Sequence, residues 1–186
     1  MQKSIDVGFI GDIHLGHKAI AKMRGFDDID EYNKEVIKRI NSVVNKKTLL
    51  ILVGDITMET RKYYPLLKEI NCRLVVVGGN HDTKELIGEL LNYVESVVGA
   101  FEYKGFIITH IPIHPSCLER YRANIHAHLH EKEIFKYIYE PLNIKVKRML
   151  DENYICVSWD QLNGIPMSLE QAIAINAKNK SVVGLG

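Results

Sequence analysis

Three features of this 186-residue chain predict an α/β domain. Short runs rich in Val, Ile and Leu recur along it, stretches of helical period separate them, and the runs end in residue types that bind metals. Ile5 to Ile10, Thr48 to Val53, Arg73 to Val77 and Phe106 to Ile108 are apolar on both alternating faces, the pattern of strands covered on two sides. Asp30 to Val44 places Tyr32, Val36, Ile37, Ile40, Val43 and Val44 at the spacing of one helix face. Thr60 to Ile70 and Thr83 to Leu91 predict two further helices, the second opened by Thr83 with Glu85 in its first turn. Strands alternating with helices build an α/β sheet.

Beyond Gly99 the pattern changes. Ala100 to Tyr103 and Phe106 to Ile111 read as a hairpin turned by Lys104-Gly105, so more antiparallel pairing is expected in the second half. Asn143 to Val146 and Tyr154 to Trp159 are further strand candidates. Pro166 suits a loop, and Ser168 followed three residues later by Gln171 is a capping box opening a last helix. The tail from Lys178 to Gly186 is expected to fray.

The length predicts one domain over residues 1–186, large enough to bury a core without cross-links. With 24 basic against 23 acidic side chains the net charge is +1, and no long-range field marks a nucleic-acid or membrane binder. Cys72, Cys117 and Cys156 are odd in number and outside any CxxC pattern, which argues against a disulfide framework and a thiolate zinc site and for a reducing cytoplasm. Met1 to Gly11 is too short and too early broken for a signal peptide, and no apolar run has the length of a membrane span. A monomer or a homodimer is expected.

All eight histidines fall in or beside five polar motifs: Asp12-Ile-His14, Gly54-Asp55, Gly79-Asn80-His81-Asp82, His110, and Ala127-His128-Leu-His130. Four of the five follow an apolar run, so their side chains gather where parallel strands end, as ligands do in open α/β sheets. Carboxylate, imidazole and amide without sulfur suit manganese, iron, nickel or zinc better than calcium. Seven such groups are too many for one ion and match two ions about 3.5–4 Å apart, bridged by a carboxylate and a hydroxide.

In order and spacing these motifs resemble the signature of the calcineurin-like metallophosphoesterases: D-x-H, G-D, G-N-H-[DE], H, G-H-x-H. The likeness to small bacterial and phage members extends to Asp12-x-His-x-Gly-His17, to Arg24-Gly-Phe26, to Asn33 and to the segment Tyr154 to Leu169. It implies a four-layer α/β/β/α sandwich of two mixed sheets flanked by helices. It implies two divalent ions, manganese first and iron, nickel, zinc or magnesium as alternatives. One ion would take Asp12, His14, Asp55 and His130; the other would take Asp55, Asn80, His110 and His128. A bridging hydroxide would attack phosphorus, His81 would contact the phosphoryl oxygen or protonate the leaving group, and Asp82 would orient His81. His17 and Arg24 are the candidate substrate contacts.

The chain departs from this pattern at Ala127, where the family has Gly, which costs little only if φ there is negative. His126-Ala-His128 and His128-Leu-His130 both read His-x-His; we take the second because small Ala127 best replaces that Gly. His114 and Asn33 are open between structural and site readings. Asp27 to Glu31 is assigned to the N-terminus of the next helix, and Trp159, Tyr137, Tyr139 and Tyr154 to packing. Residues 132–149 lie outside the resemblance and read as a family-variable insertion, locally basic and aromatic. The function expected is hydrolysis of a phosphodiester or phosphomonoester, with a nucleotide or cyclic nucleotide as the small substrate. A nuclease or nucleic-acid end-processing phosphatase is the alternative enzyme, although no basic track is visible. The alternative of another class is a non-catalytic protein-binding scaffold.

Overall fold

The computed structural model describes residues 4–139 and 146–183. Its strands are β1 (Val7–Ile10), β2 (Leu49–Val53), β3 (Arg73–Val77), β4 (Ser96–Val98), β5 (Phe101–Tyr103), β6 (Phe106–Ile108), β7 (Asn124–His126), β8 (Phe135–Tyr139), β9 (Val146–Leu150), β10 (Tyr154–Cys156) and β11 (Met167–Ser168). Its α-helices are α1 (Lys18–Met23), α2 (Ile29–Asn41), α3 (Lys84–Leu90), α4 (Trp159–Leu162) and α5 (Leu169–Val183).

Two mixed sheets face each other, flanked by helices in the α/β/β/α arrangement. The first runs β11-β1-β2-β3-β4, all parallel except β11, and the second runs β10-β7-β6-β5. Because the strands are pleated, alternate residues serve different cores. Phe9, Ile51, Val53 and Val77 point inward and meet Phe106, Ile108, Ile125, Ile155 and Val157 of the second sheet, while Ile10, Leu50, Leu52, Leu74 and Val76 point outward to α1, α2 and α3. α2 presents Tyr32, Val36, Ile37 and Ile40 to that outer layer, and Asp28 caps it by accepting from the amides of Asp30 and Glu31. The acidic cluster therefore serves the helix start, as its sequence suggested.

Across the second sheet the covering is thinner. The crossover from β6 to β7 lies over its outward face, where Asn124 Oδ1 accepts the Ile113 amide and the Tyr154 hydroxyl donates to the Ile113 carbonyl. α5 closes the open side against β1, β10 and β11, with Leu169 and Ala172 in the inter-sheet core. Its start is the predicted capping box, Ser168 N to Gln171 Oε1 at 2.7 Å and Gln171 N to Ser168 Oγ at 3.1 Å. The helix continues through residues 178–183, where fraying was expected.

Other expectations need correction. The helix expected over Thr60 to Ile70 is 3₁₀ over Arg61–Glu69, with Pro65 inside it; proline has no N–H for an α-helical ladder. β10 stops at Cys156, and Trp159 begins a helix with Ser158 at its N-cap position. The β5–β6 hairpin forms as predicted, Lys104 (φ 51) and Gly105 (φ 83) making a two-residue turn with both φ positive, but β7 joins its neighbours β6 and β10 in parallel. Strands β4, β7, β8 and β11 were not foreseen. Residues 132–149 contain most of an antiparallel β8–β9 hairpin, and the strand expected at Asn143 to Val146 lies outside the described residues except for Val146, the first residue of β9. Among the described residues no helix is long and apolar enough to cross a membrane, and the three cysteines are unpaired.

Phe9 is fully buried between the sheets. Phe9→Ala is expected to lower unfolding free energy by about 3–5 kcal/mol in urea titration; a loss below about 1 kcal/mol would show that the sheets do not depend on this contact.

Candidate metal centre

Five strands deliver side chains to one end of the sandwich. β1 leads into Asp12 and His14, β2 into Gly54-Asp55, β3 into Gly79 to Asp82, β6 into His110, and β7 into His128 and His130. These strands run parallel within each sheet, so their carboxyl ends converge. To turn the side chains inward the backbone adopts left-handed conformations at Asp12 (φ 55), His14 (φ 42), Asp55 (φ 52), His128 (φ 66) and His130 (φ 53). Such φ values cost a non-glycine residue energy, and the surrounding bonds must hold them. Ala127 is not among the positive-φ residues, so its methyl replaces hydrogen without strain.

Two groups of potential ligands result. Asp12, His14 and His130 form one and Asp55, His110 and His128 the other, and within each group the ligand atoms lie within 4.8 Å of one another. Asp55 faces both: its Oδ2 is 3.9 Å from His14 Nε2 and 3.3 Å from His110 Nε2. Asn80 Oδ1 lies 3.0 Å from the same His110 nitrogen. His110 Nδ1 lies 2.9 Å from the Val53 carbonyl, to which it can only donate, so in the neutral ring Nε2 carries the lone pair a metal would use, and only the protonated ring also donates to Asp55. The rings of His14 and His130 stack at 5.5 Å.

The electrostatics are those of groups drawn together without water. Burial pushes the Asp12 carboxyl up and the His14 imidazole down to about 3. Burial opposes ionisation of Asp55 and His110 as well, but their mutual hydrogen bond and opposite charge outweigh it, lowering the acid and raising the base. Among the described residues, Asp12 Oδ1 and both His14 ring nitrogens are buried without a hydrogen-bond partner. Buried lone pairs facing one another are costly unless a cation satisfies them, so the donor set fits metal ions.

Glycine is required at two neighbouring positions. A Cβ on Gly54, at φ 76, would lie 2.3 Å from His110 Nδ1, and one on Gly79 would lie 2.3 Å from Asp55 Oδ1.

The remaining candidates fall in different places. His81 stands at the lip, its ring 6.0 Å from that of His14. Asp82 does not orient it. The Asp82 carboxylate is buried and accepts the backbone amides of Asp55, Ile56 and Gly79 at 2.8–3.1 Å, leaving Glu59 Oε1, 3.2 Å away, beside His81 Nδ1. His17 occupies the N-cap position of α1, its ring 5.6 Å from His14. Asn33 is buried and accepts the Gly16 amide at 2.8 Å, holding that turn. His126 points away from both groups, toward Tyr154, and burial takes it down to about 4. His114 caps the 3₁₀ turn Pro115–Cys117.

Arg24 is not free to grip a phosphate. Its Nε and one terminal nitrogen bind both oxygens of Asp160 at 2.8 Å, and its other terminal nitrogen donates to the Tyr32 hydroxyl. Asp160 and Glu59 escaped the sequence reading. For Asp160 the signal was available, a carboxylate just past an apolar strand; for Glu59, one acid among many surface acids, there was none. A cavity of about 510 Å³ opens beside the site, lined by the apolar Ile20, Met23 and Leu129, by His128 and His130, and by the oppositely charged Glu131 and Lys132.

Asp82→Asn would turn an amide NH₂ toward backbone donors. It is expected to cost about 1–3 kcal/mol in chemical denaturation. Stability within about 0.5 kcal/mol of the parent would show that the buried carboxylate is dispensable.

The model of the calcineurin-like phosphoesterase family matches residues 5–179. An uncharacterized protein of Methanocaldococcus jannaschii is 31% identical over 180 residues, 93% of this chain and 92% of that protein. The gene 66 protein of Mycobacterium phage L5 is 32% identical over 79 residues, 40% of this chain and 38% of its own. Among solved structures, a protein of unknown function from Aquifex aeolicus superposes with a TM-score of 0.64 at 17% identity, covering 94% of this chain and all of that one, a likeness of fold.

Proposed function

Because the chain belongs to the calcineurin-like phosphoesterase family, we propose that it is a dinuclear-metal phosphoesterase acting on a small, nucleotide-like phosphodiester or phosphomonoester. The observation that carries this reading is the pair of ligand groups with the Asp55 carboxylate between them. Asp12, His14, Asp55 and His130 would hold one ion, and Asp55, Asn80, His110 and His128 the other. Nitrogen and oxygen donors without sulfur favour manganese as the first ion to try. When bound, the two ions supply positive charge against the phosphoryl oxygens and lower the pKa of water.

The chain supplies the rest. The Val53 carbonyl fixes the ring of His110, and the Asp82 clamp fixes the turn that carries His81. At the lip, half-buried His81 has its Nδ1 beside the Glu59 carboxylate, which would support the imidazolium; in that form Nε2–H would donate to a phosphoryl oxygen or pass its proton to the leaving oxygen. The apolar side chains of Ile20, Met23 and Leu129 suit a nucleoside-sized group, and Glu131 and Lys132 in the same lining suit its polar edge.

The test is hydrolysis of bis-p-nitrophenyl phosphate beside p-nitrophenyl phosphate after chelation and re-addition of single divalent ions. Metal-restored turnover is expected, and its absence in protein carrying two ions would overturn the enzymatic reading. His81→Ala should lower turnover by roughly 10²–10⁴ with metal content unchanged; full activity would remove His81 from the chemistry. Asp55→Ala should abolish activity and two-ion stoichiometry together, and retention of both ions would refute the shared carboxylate.

A further inference from the structure

We propose that Asp160, braced by Arg24 and Tyr32, is the positioning residue that presents His130 to one metal ion and leaves the other ion's ligands untouched. The inference rests on the two-metal reading above. His130 Nδ1 lies 2.8 Å from Asp160 Oδ2. A carboxylate only accepts, so Nδ1 carries the hydrogen and Nε2 presents the lone pair. His130 needs this help: it follows β7 in a left-handed loop conformation, its side chain is 36% exposed, and its other ring contact within the group is the stack on His14.

Asp160 is itself held. Arg24 grips both of its oxygens, with side chains only 7% and 15% exposed for Arg24 and Asp160, and the Arg24 guanidinium lies 5.5 Å from the centre of the Trp159 ring. The guanidinium also donates to the Tyr32 hydroxyl, which donates in turn to the Ile13 carbonyl at 2.7 Å. Ile13 is the residue between Asp12 and His14. The chain of bonds therefore runs from the Asp12-Ile13-His14 turn through Tyr32, Arg24 and Asp160 to His130, and it encloses all three members of one ligand group. Among the described residues, the hydrogen bonds of Asp55, Asn80 and His110 reach none of Tyr32, Arg24, Asp160 and His130, and the Asp55 carboxylate meets this chain of bonds only across the 3.9 Å to His14.

Two measurements on the full-length protein test this. In the first, long-range ¹H–¹⁵N spectra at mildly alkaline pH, with His130 assigned by His130→Gln, should show His130 as the Nδ1–H tautomer. In Asp160→Ala/Arg24→Met, which removes both charges and so strands neither, His130 should revert to the Nε2–H form that free imidazole favours. An Nε2–H form in the parent, or no change in the variant, overturns the proposal. In the second, Mn²⁺ titration should show one site weakened about 10–100-fold in the variant and the other unchanged. Two unchanged sites, or equal loss at both in a variant with parental circular dichroism, also overturn it. If the parent binds no Mn²⁺, the two-metal reading falls, while the tautomer still decides what Asp160 does to His130.

Discussion

The carboxylate of Asp82 ties together the ends of two strands. One oxygen accepts the amides of Asp55 and Gly79 and the other accepts that of Ile56, so the turns after β2 and β3 share one buried acceptor. Without it three amides would be left deep in the protein with no water to receive them. Burial raises the Asp82 acid, and the amides that point at it pull the other way. Asp55 returns the tie by accepting the His81 amide at 3.0 Å. The spacing between Asp55, Asn80 and His81 follows from this knot, and the position of the Asp55 carboxylate with it.

Around that knot the molecule concentrates unfavourable backbone conformations. Of the described non-glycine residues at positive φ, most belong to the candidate metal centre. Each can be held only where the neighbouring structure is rigid, and the two sheet cores provide that rigidity. Bonds from the far side of the chain finish the work: the His128 amide donates to Asp12 Oδ2, and the Asp12 and His14 amides donate to the Gly54 and Asp55 carbonyls. Strain and its restraint are therefore arranged from both sheets at once.

Much of this was legible in the sequence because strands and ligands announce themselves locally. A valine run ending in Gly-Gly-Asn-His-Asp states both the strand and its product, and Ser168 with Gln171 states a helix start. The first sheet and the placement of the seven candidate ligands were read on those grounds, and His128-Leu-His130 is the register the geometry brings to the two groups. What stayed hidden depends on partners distant in the chain. Arg24 looked like a phosphate ligand because a guanidinium suits bidentate phosphate recognition, yet its partner lies 136 residues away. Asp82 looked like a partner for the adjacent His81, but its position beneath three amides is set by the approach of β2 to β3. Strand β7 escaped notice because Asn124 and His126 interrupt its apolar pattern while serving the outward face.

The pairing of β11 with β1 and the bridge between Gly11 and Ser158 have a consequence for assembly. Strand β1 keeps one edge open until residues near 168 arrive, and the Asp12-Ile13-His14 turn waits for Trp159 and Asp160. Contacts this remote in sequence close late, after local hairpins and helices. During synthesis, then, the polypeptide carries most of its candidate ligands before it can lock them in register. Ion capture by a nascent chain would act on a half-built cage, and the arrival of Trp159 to Ser168 decides whether the two ligand groups close up.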